Sequence, residues 1–185
     1  MTNLLRLGIT VLSVIAVGAL SGCGSESDGV FDRDEFPFTF QYPDDFSEVD
    51  DVSIDESLGS SATATAAVAI NDDDLILVQL FDLNASIDES NLALAKNEID
   101  QLLAQYTPNA ETQKTTVAGL PALTADGIAV KSVPDAESRF TFIFDGTKEY
   151  ELNCQATPEH RTEVDAACDQ ALSTLKLDSG ASEDE

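Results

Sequence analysis

The side chains that most often carry chemistry are few in this chain: one histidine, His160, and three cysteines, Cys23, Cys154 and Cys168. A catalytic His160 would need a buried position beside a nucleophile, and no G-x-S-x-G elbow is present. The sequence also lacks a phosphate-binding loop, a dinucleotide fingerprint and a zincin motif. We therefore predict a protein without catalytic residues or a cofactor, and a hydrolase with an unfamiliar site is the alternative.

One acid-rich run, Asn71-Asp72-Asp73-Asp74, offers oxygen atoms that could bind Ca²⁺. The run lacks the ligand spacing, the glycine and the distal glutamate of an EF-hand loop. The simpler interpretation is a solvated turn in a protein that is acidic throughout, so we expect no metal site. Calcium binding stays open as the alternative.

The N-terminal residues 1–22 form a distinct segment with no acidic residue, one arginine at Arg6 and an apolar run from Leu7 to Leu20. As a helix those 14 residues would rise about 21 Å, which is short of the roughly 30 Å hydrocarbon core of a bilayer. The pattern is typical of a secretory signal peptide, and a permanent anchor helix is the alternative.

The residues after this run, Leu20-Ser21-Gly22-Cys23, resemble the bacterial lipobox, in which a leucine and two small residues precede a lipidated cysteine. The resemblance implies cleavage before Cys23, a diacylglyceryl thioether on its sulfur and acyl chains such as palmitate. Two acyl chains, at about 0.8 kcal/mol for each buried CH₂, anchor a protein stably. The resemblance thus implies a membrane partner through Cys23 and an extracytoplasmic, lipid-anchored location.

If Cys23 is lipidated, Cys154 and Cys168 remain as a pair in a compartment that permits disulfides. Cys154 shares a strand face with Tyr150 and Leu152, and Cys168 lies on the apolar stripe of the last predicted helix. Both side chains therefore point into the same layer, as a disulfide requires. A redox pair or a zinc site is the alternative, although the spacing is not C-x-x-C and no histidine set accompanies it.

The charge of the chain excludes one class of partner. The 185 residues include 35 acidic and 9 basic side chains, a net charge of −26, and the chain from Cys23 onward carries −27. Such a chain does not neutralise phosphates, so we expect no nucleic-acid partner. Anionic lipid would also repel it, which leaves the acyl group as the membrane anchor.

Composition divides the chain into four parts. A signal peptide over residues 1–22 is followed by a polar, Gly- and Ser-containing stretch over 23–35 that predicts a flexible tether. Residues 36–177 hold most of the apolar residues and form one domain. The acidic tail over 178–185 is predicted to be disordered.

Within the domain, hydrophobic periodicity predicts strands, a helix, more strands and a closing helix. Strands are predicted at Phe36–Tyr42, Ser61–Ile70, Leu75–Leu83, Glu111–Val117, Leu120–Val130, Arg139–Phe144 and Lys148–Gln155. A capping box at Ser86 and Glu89 predicts the start of the first helix, whose buried stripe is Leu92, Ala95, Ile99, Leu102, Leu103 and Tyr106.

Two further local patterns complete the prediction. Asp145-Gly146 predicts a two-residue type I′ hairpin turn. Thr157-Pro158 predicts the N-cap and first position of the closing helix, whose stripe is Val164, Cys168, Ala171, Leu172 and Leu175. The order of elements indicates an α+β domain with a mainly antiparallel sheet.

Six phenylalanines alternate along two of the predicted strands: Phe36, Phe38, Phe40, Phe140, Phe142 and Phe144. They could line a cavity for a small hydrophobic ligand. An ordinary packed core is the alternative.

Three short blocks are similar to known proteins. Phe38–Gln41 with Tyr42–Phe46, and Val117–Ala122, resemble strand and turn segments of PsbP-like α/β/α sandwiches. The end of the domain, Tyr150–Glu159 followed by Cys168 and Leu172–Leu175, resembles actinobacterial lipoproteins of the LpqN type. The resemblance implies a curved antiparallel sheet between helices, used for binding, and carries over no active-site residues.

From these observations we expect a lipid-anchored, extracytoplasmic lipoprotein of the cell envelope with a non-enzymatic binding or accessory role. Its expected partner is an envelope protein or a small hydrophobic ligand. An envelope enzyme such as a hydrolase is the alternative, and it would need a cleft that groups His160 or several carboxylates with perturbed pKa values.

Overall fold

The structure, a computed structural model, describes residues 28–49 and 62–178. Within these ranges the chain forms nine strands and two helices: β1 (Gly29–Asp32), β2 (Phe38–Tyr42), β3 (Ser47–Val49), β4 (Ala64–Ala69), β5 (Leu75–Ile87), α1 (Leu92–Leu103), β6 (Gln113–Val117), β7 (Leu120–Ala129), β8 (Glu137–Ala156), α2 (Arg161–Thr174) and β9 (Lys176–Leu177). Neither of these two helices has the length and apolar character needed to cross a bilayer.

The strands form two antiparallel sheets. One has three strands in the order β1-β2-β9, and the other has six in the order β3-β4-β5-β8-β7-β6. One hydrophobic cluster packs the six-stranded sheet against α2 and the small sheet, and a second packs α1 against its opposite face. The predicted α+β class, with antiparallel sheet flanked by helices, is confirmed.

The predicted tether over 23–35 is wrong at its C-terminal end. Residues 29–32 form β1, which pairs antiparallel with β2 and places Phe31 opposite Phe40. Phe31 is fully buried, and its ring stacks on that of Phe40 with centroids 4.6 Å apart. Phe31 is the one buried residue of β1, and β2 supplies both the hydrogen bonds of the strand and an aromatic surface for this side chain.

The predicted hairpin at Asp145-Gly146 is also wrong. Both residues lie inside β8, a continuous 20-residue strand that pairs with β7 in its first half and β5 in its second. Side chains alternate along a strand, so Phe144 and Tyr150 would share a face, yet they belong to the two clusters on opposite faces. The alternation is therefore interrupted between them, where Gly146 has a φ of +62°.

A two-residue hairpin does occur at Ala118-Gly119, between β6 and β7. Val117 pairs with Leu120, and the two turn residues have φ angles of +50° and +84°. Positive φ at both central positions is the requirement of a type I′ turn.

Both helices begin later than their predicted caps. Ser86 belongs to β5, because Ile87 still pairs with Gly146, and α1 begins only at Leu92. Thr157 lies in the turn before α2, whose N-cap position is held by His160. The predicted stripes are largely confirmed, since the buried residues are Leu92, Ala95, Ile99 and Leu103 in α1 and Val164, Ala167, Cys168 and Ala171 in α2. The prediction is wrong for Leu102, which is exposed, and for Tyr106, which lies beyond the end of α1.

Candidate functional site

The predicted disulfide is present in the structure. Cys154 of β8 and Cys168 of α2 are bonded, with their Cα atoms 6.1 Å apart, and both are buried. The bond fastens the closing helix to the central strand of the sheet. Cys23 and the signal peptide over residues 1–22 lie outside the described residues, so lipidation stays a prediction.

The acid-rich turn is not fully solvated, because Asp74 is only 2% exposed. Its carboxylate accepts hydrogen bonds from the backbone N–H of Thr157 at 2.6 Å, from the Thr157 hydroxyl at 3.2 Å and from the Asn71 amide at 2.9 Å. Burial alone would raise the pKa of Asp74, but these bonds and the nearby His160 together lower it. The oxygen atoms of Asp74 therefore serve the fold, and calcium binding at this turn is an unsupported alternative.

The lone histidine stands at the N-cap position of α2 and is half-buried. It is close enough to Asp74 for its charge to favour the ionised carboxylate. That carboxylate already accepts hydrogen bonds from Thr157. His160 therefore lies beside a carboxylate whose hydrogen bonds stabilise the fold at the end of the sheet.

The six alternating phenylalanines do not line one cavity, because they divide between the two clusters on opposite faces of the sheet. Phe36, Phe38 and Phe40 pack with Phe31 and Tyr150, whereas the remaining three pack under α1. Ring centroids of neighbouring aromatics in the first group lie 4.6 to 6.4 Å apart. These rings fill the core instead of enclosing a ligand.

Two grooves open beside α2, and both border Arg139. The first has a volume of about 430 Å³ and is lined by Asp126, Gly127, Glu137, Ser138, Arg139, Cys154, Ala156, Arg161 and Asp165. The second has a volume of about 510 Å³ and is lined by Thr115, Thr116, Val117, Thr124, Asp126, Arg139, Thr141, Asp169, Leu172 and Ser173.

Arg139 is enclosed by carboxylates at the ridge between these grooves. Its guanidinium donates to Asp126 at 2.7 Å, to Asp169 at 2.6 Å and to Asp165 at 3.4 Å. Arg161, in the first groove, pairs with Glu137 at 3.0 Å. Because both guanidinium groups already face carboxylates, neither groove presents an unbalanced positive charge that would attract an anion.

A cluster of polar side chains lies on the other face of the six-stranded sheet, and we refer to it as the polar patch. Glu149, Glu151 and Asn153 alternate along β8 on the face opposite Tyr150, Leu152 and Cys154, and Gln79 of β5 lies directly opposite Glu151. Gln79 is 1% exposed, Asn153 8% and Glu151 9%. None of these four side chains belongs to either hydrophobic cluster.

Hydrogen-bond partners are missing in the polar patch among the described residues. The Nε2 atom of Gln79 and the Oδ1 atom of Asn153 are buried without a partner. Burial raises the pKa of Glu151 to about 8, with a further contribution from the charge of Glu149. Burial likewise raises the pKa of Glu149 to about 7.

The sequence does not predict the polar patch. Alternation assigns Tyr150, Leu152 and Cys154 to the core, and it consequently leaves the intervening acids to solvent. In the structure both faces of β8 are covered at this point, since Glu151 and Leu152 are both buried. No local pattern in the sequence indicates burial on the second face, because the continuous 20-residue strand that crosses the middle of the sheet is seen only in the structure.

Metal binding by acidic clusters has no support in the described part of the chain. Over residues 28–49 and 62–178, no group of three or more histidine, cysteine, aspartate or glutamate side chains is arranged to hold a metal ion. The polar patch contributes only two carboxylates.

Comparison with known proteins places the fold. No protein-family profile matches the sequence, and no curated protein matches it. The structure is similar to cyanobacterial PsbP (CyanoP) from Synechocystis sp. PCC 6803, with a TM-score of 0.56, 14% identity and coverage of 87% of this chain and 98% of that chain. The domain therefore has a PsbP-like fold.

Two further solved structures align with the chain. A protein from Bacteroides thetaiotaomicron VPI-5482 aligns with a TM-score of 0.52 and 11% identity over 82% of this chain and 48% of that chain. LpqN, involved in cell envelope biogenesis of Mycobacterium tuberculosis, aligns with a TM-score of 0.47 and 10% identity over 84% of this chain and 87% of that chain.

Proposed function

We propose that the chain is a lipid-anchored, extracytoplasmic protein of the cell envelope with a non-enzymatic binding or accessory role. The observation that carries this proposal is the buried disulfide between Cys154 and Cys168. Disulfides persist in oxidising compartments outside the cytoplasm and are rare within it. The disulfide thus agrees with the export that the signal peptide and the lipobox-like Leu20–Cys23 imply.

The charge supports a lipid anchor over a surface-charge attachment. From Cys23 onward the chain carries 35 acidic and 8 basic residues, and an anionic lipid surface would repel it. Acyl chains on Cys23 would provide membrane affinity without needing any basic patch. The PsbP-like domain would then be displayed in the aqueous phase, with the two grooves beside α2 available to a partner.

The anchor is tested with Cys23→Ala expressed in a bacterial host that processes lipoproteins. The variant should leave the membrane fraction and keep its signal peptide uncut, and labelled palmitate should no longer be incorporated. The double variant Cys154→Ala/Cys168→Ala is the matched control, since it removes two thiols and should stay in the membrane fraction. A Cys23→Ala protein that fractionates, migrates and labels like the parent would refute the anchor.

One observation favours the alternative of an envelope enzyme, namely the raised pKa values of Glu149 and Glu151. Paired carboxylates with raised pKa values serve as general acids in some enzymes. However, neither groove beside α2 is lined by Glu149 or Glu151. We therefore favour binding, and hydrolysis of envelope glycans by the parent protein that is lost in Glu151→Gln would support the enzyme instead.

A further inference from the structure

Strand β6 lies at one edge of the six-stranded sheet and pairs only with β7 among the described strands. Its five residues make it the longest of the edge strands, since β1, β3 and β9 have four, three and two. Residues 113–116 of β6 are exposed. An exposed edge strand can accept a further strand from another chain, because its outer N–H and C=O groups have no partner in the sheet.

The register of the β6–β7 hairpin identifies which backbone groups are free. Val117 and Leu120 flank the two-residue turn and form the hydrogen-bonded pair that closes it. Hydrogen-bonded and non-hydrogen-bonded pairs alternate along an antiparallel ladder. Thr115 therefore bonds to β7, whereas Lys114 and Thr116 direct their N–H and C=O groups outward.

Neighbouring residues agree with this assignment and limit the free edge. Pro121 lies opposite Thr116 and has no N–H to donate, which a non-hydrogen-bonded pair permits. The N–H of Thr112 is the next outward donor along the chain, and it is already bonded to Asp100 at 2.7 Å. The free edge thus consists of the N–H and C=O groups of Lys114 and Thr116, which no hydrogen bond between described residues uses.

The second groove beside α2 borders this edge. Strand β6 contributes Thr115 and Val117 to its lining, and α2 contributes Asp169, Leu172 and Ser173. A strand added to β6 would lie about 4.8 Å beyond it, and every second side chain would point over the same face of the sheet as Thr115 and Val117. In strand addition the main-chain bonds supply affinity, and pockets for alternate side chains supply specificity.

The charge beside the edge favours a basic partner. Three carboxylates surround the single guanidinium of Arg139, so two of the negative charges remain uncompensated. Asp126 and Asp169 line the groove with side chains that are 65% and 73% exposed. Arg139 donates to one oxygen of each and leaves the other oxygen available. Lys114 does not oppose a cation there, because side chains alternate along a strand and Lys114 points to the other face.

An extended segment with basic side chains fits both the edge and the groove. Asp126 belongs to β7, which would lie two strand spacings, about 10 Å, from the added strand. An extended lysine or arginine side chain and the aspartate together span this distance. A second copy of the chain fits poorly, because each copy has a net charge of −26 and the two would repel each other.

We infer that β6 is a docking edge for an extended basic segment of an envelope protein, which adds to the sheet as a further strand. Its backbone would pair with Lys114 and Thr116, and its lysine or arginine side chains would lie over Asp126 and Asp169. The inference rests on the binding role proposed above and gives the chemistry of the partner. It does not depend on the lipid anchor.

The first test is calorimetric titration of the full chain with a synthetic peptide in which lysine and threonine alternate, blocked at both ends. We expect saturable binding. The same peptide with methylated backbone nitrogens should bind about tenfold more weakly, because it keeps every charge but lacks the main-chain donors. No saturable binding of the unmodified peptide, or equal affinity of the two peptides, would overturn the docking edge.

The second test locates the peptide by amide hydrogen exchange. At saturation the N–H groups of Lys114 and Thr116 should exchange about tenfold more slowly, because each gains a hydrogen bond to the added strand. The N–H of Thr115, which already bonds to β7, should change less. Unchanged exchange at Lys114 and Thr116 in the saturated protein would place the peptide elsewhere and overturn the inference.

The third test removes the negative charge beside the edge. Asp126→Asn/Asp169→Asn should weaken peptide binding several-fold. The double variant Asp44→Asn/Asp45→Asn is the matched control, because it removes the same charge from an exposed turn and should keep the parent's affinity. Equal weakening in both variants would show diffuse attraction to an acidic chain and would contradict the assigned groove.

Sedimentation of the full chain without peptide tests the second copy as the occupant. We expect a monomer. A dimer that Thr116→Pro converts to a monomer would replace the basic segment by a second copy, because proline removes an outward N–H from the edge.

These outcomes are separate from those for the anchor. Calorimetry on Cys23→Ala should give the parent's affinity for the peptide. A protein that loses its anchor and keeps this affinity supports both proposals, whereas an anchored protein with no affinity overturns only the docking edge.

Discussion

Asp74 and Thr157 hold together two turns that are 83 residues apart in the chain. The Asp74 carboxylate, at the β4–β5 turn, accepts from both the backbone N–H and the hydroxyl of Thr157, at the end of β8. The contact fixes the exit of the central strand just before α2 begins. The acid-rich turn, which the sequence predicts to be solvated, therefore helps to hold the folded domain together.

Asp74→Ala should therefore destabilise the domain by about 1–3 kcal/mol, because it leaves the half-buried Thr157 N–H without its acceptor. Urea denaturation at neutral pH measures the change, and Asp72→Ala, at an exposed neighbouring position, should have little effect. Since the folded pKa of Asp74 lies below 3.8, its contribution is present above that value and is lost as the pH falls through the lowered pKa. Equal destabilisation by the two variants would contradict this role.

Glu151 should have the opposite pH dependence. In the unfolded chain its pKa is near 4.5, whereas burial raises the folded pKa to about 8. The folded state thus holds the proton more tightly, and stability should fall as the pH rises from about 4.5 to about 8 and level off above. Glu151→Gln should be more stable than the parent by on the order of 2 kcal/mol at alkaline pH, where the parent must bury a charge.

Denaturation curves of the parent and Glu151→Gln across this pH range check the prediction. Asp44→Asn is the control, because it removes a carboxyl group from an exposed position. A parent stability that rises steadily over the same range would be incompatible with a raised pKa at Glu151.

Removing the disulfide should lower the free energy of unfolding by about 3 kcal/mol, the value that chain entropy gives for a loop of about 15 residues. The double variant Cys154→Ala/Cys168→Ala measures the loss by chemical denaturation. Intact mass before and after reduction should differ by two hydrogens in the parent and not at all in the variant. An unchanged parent mass would mean that the two thiols are free.

Gly146→Ala should destabilise the domain by about 1 kcal/mol, because a residue with a side chain is disfavoured at positive φ. The effect should be conformational, since a Cβ at this position would meet no atom closer than Ser86 Oγ at 3.9 Å. Gly146→Asn should recover part of the loss, because asparagine tolerates the left-handed region. Thermal unfolding of the two variants distinguishes backbone strain from crowding. If crowding were the cause, Gly146→Asn would be less stable than Gly146→Ala, because its side chain is larger.

The parts of the fold that follow from periodicity could be predicted from the sequence. Phe38 and Phe40 lie in the core as their alternation indicates, and so do most residues of the stripes of α1 and α2, with Leu102 as an exposed exception. The cysteines could be paired because each lies on an apolar face. These features depend on local patterns that the chain carries wherever its neighbours lie.

The failures involve residues whose partners lie far away in sequence. Asp145-Gly146 is a strong hairpin pattern, but β5 and β7 pair with both halves of β8 and keep it continuous. Ser86 could cap a helix, but its strand is held in place by Gly146. The polar patch could not be found because no local pattern shows that Glu151 and Leu152 are both buried.

The continuity of β8 has a consequence for how the domain comes apart. Its first half supplies Phe140 and Phe142 to the cluster under α1, and its second half supplies Tyr150 and Cys154 to the cluster beneath α2. Neither cluster can come apart while β8 remains hydrogen-bonded to β5 and β7. Amide hydrogens in the middle of β8 should consequently exchange with solvent only through whole-domain opening, so that the two halves share one cooperative unfolding transition.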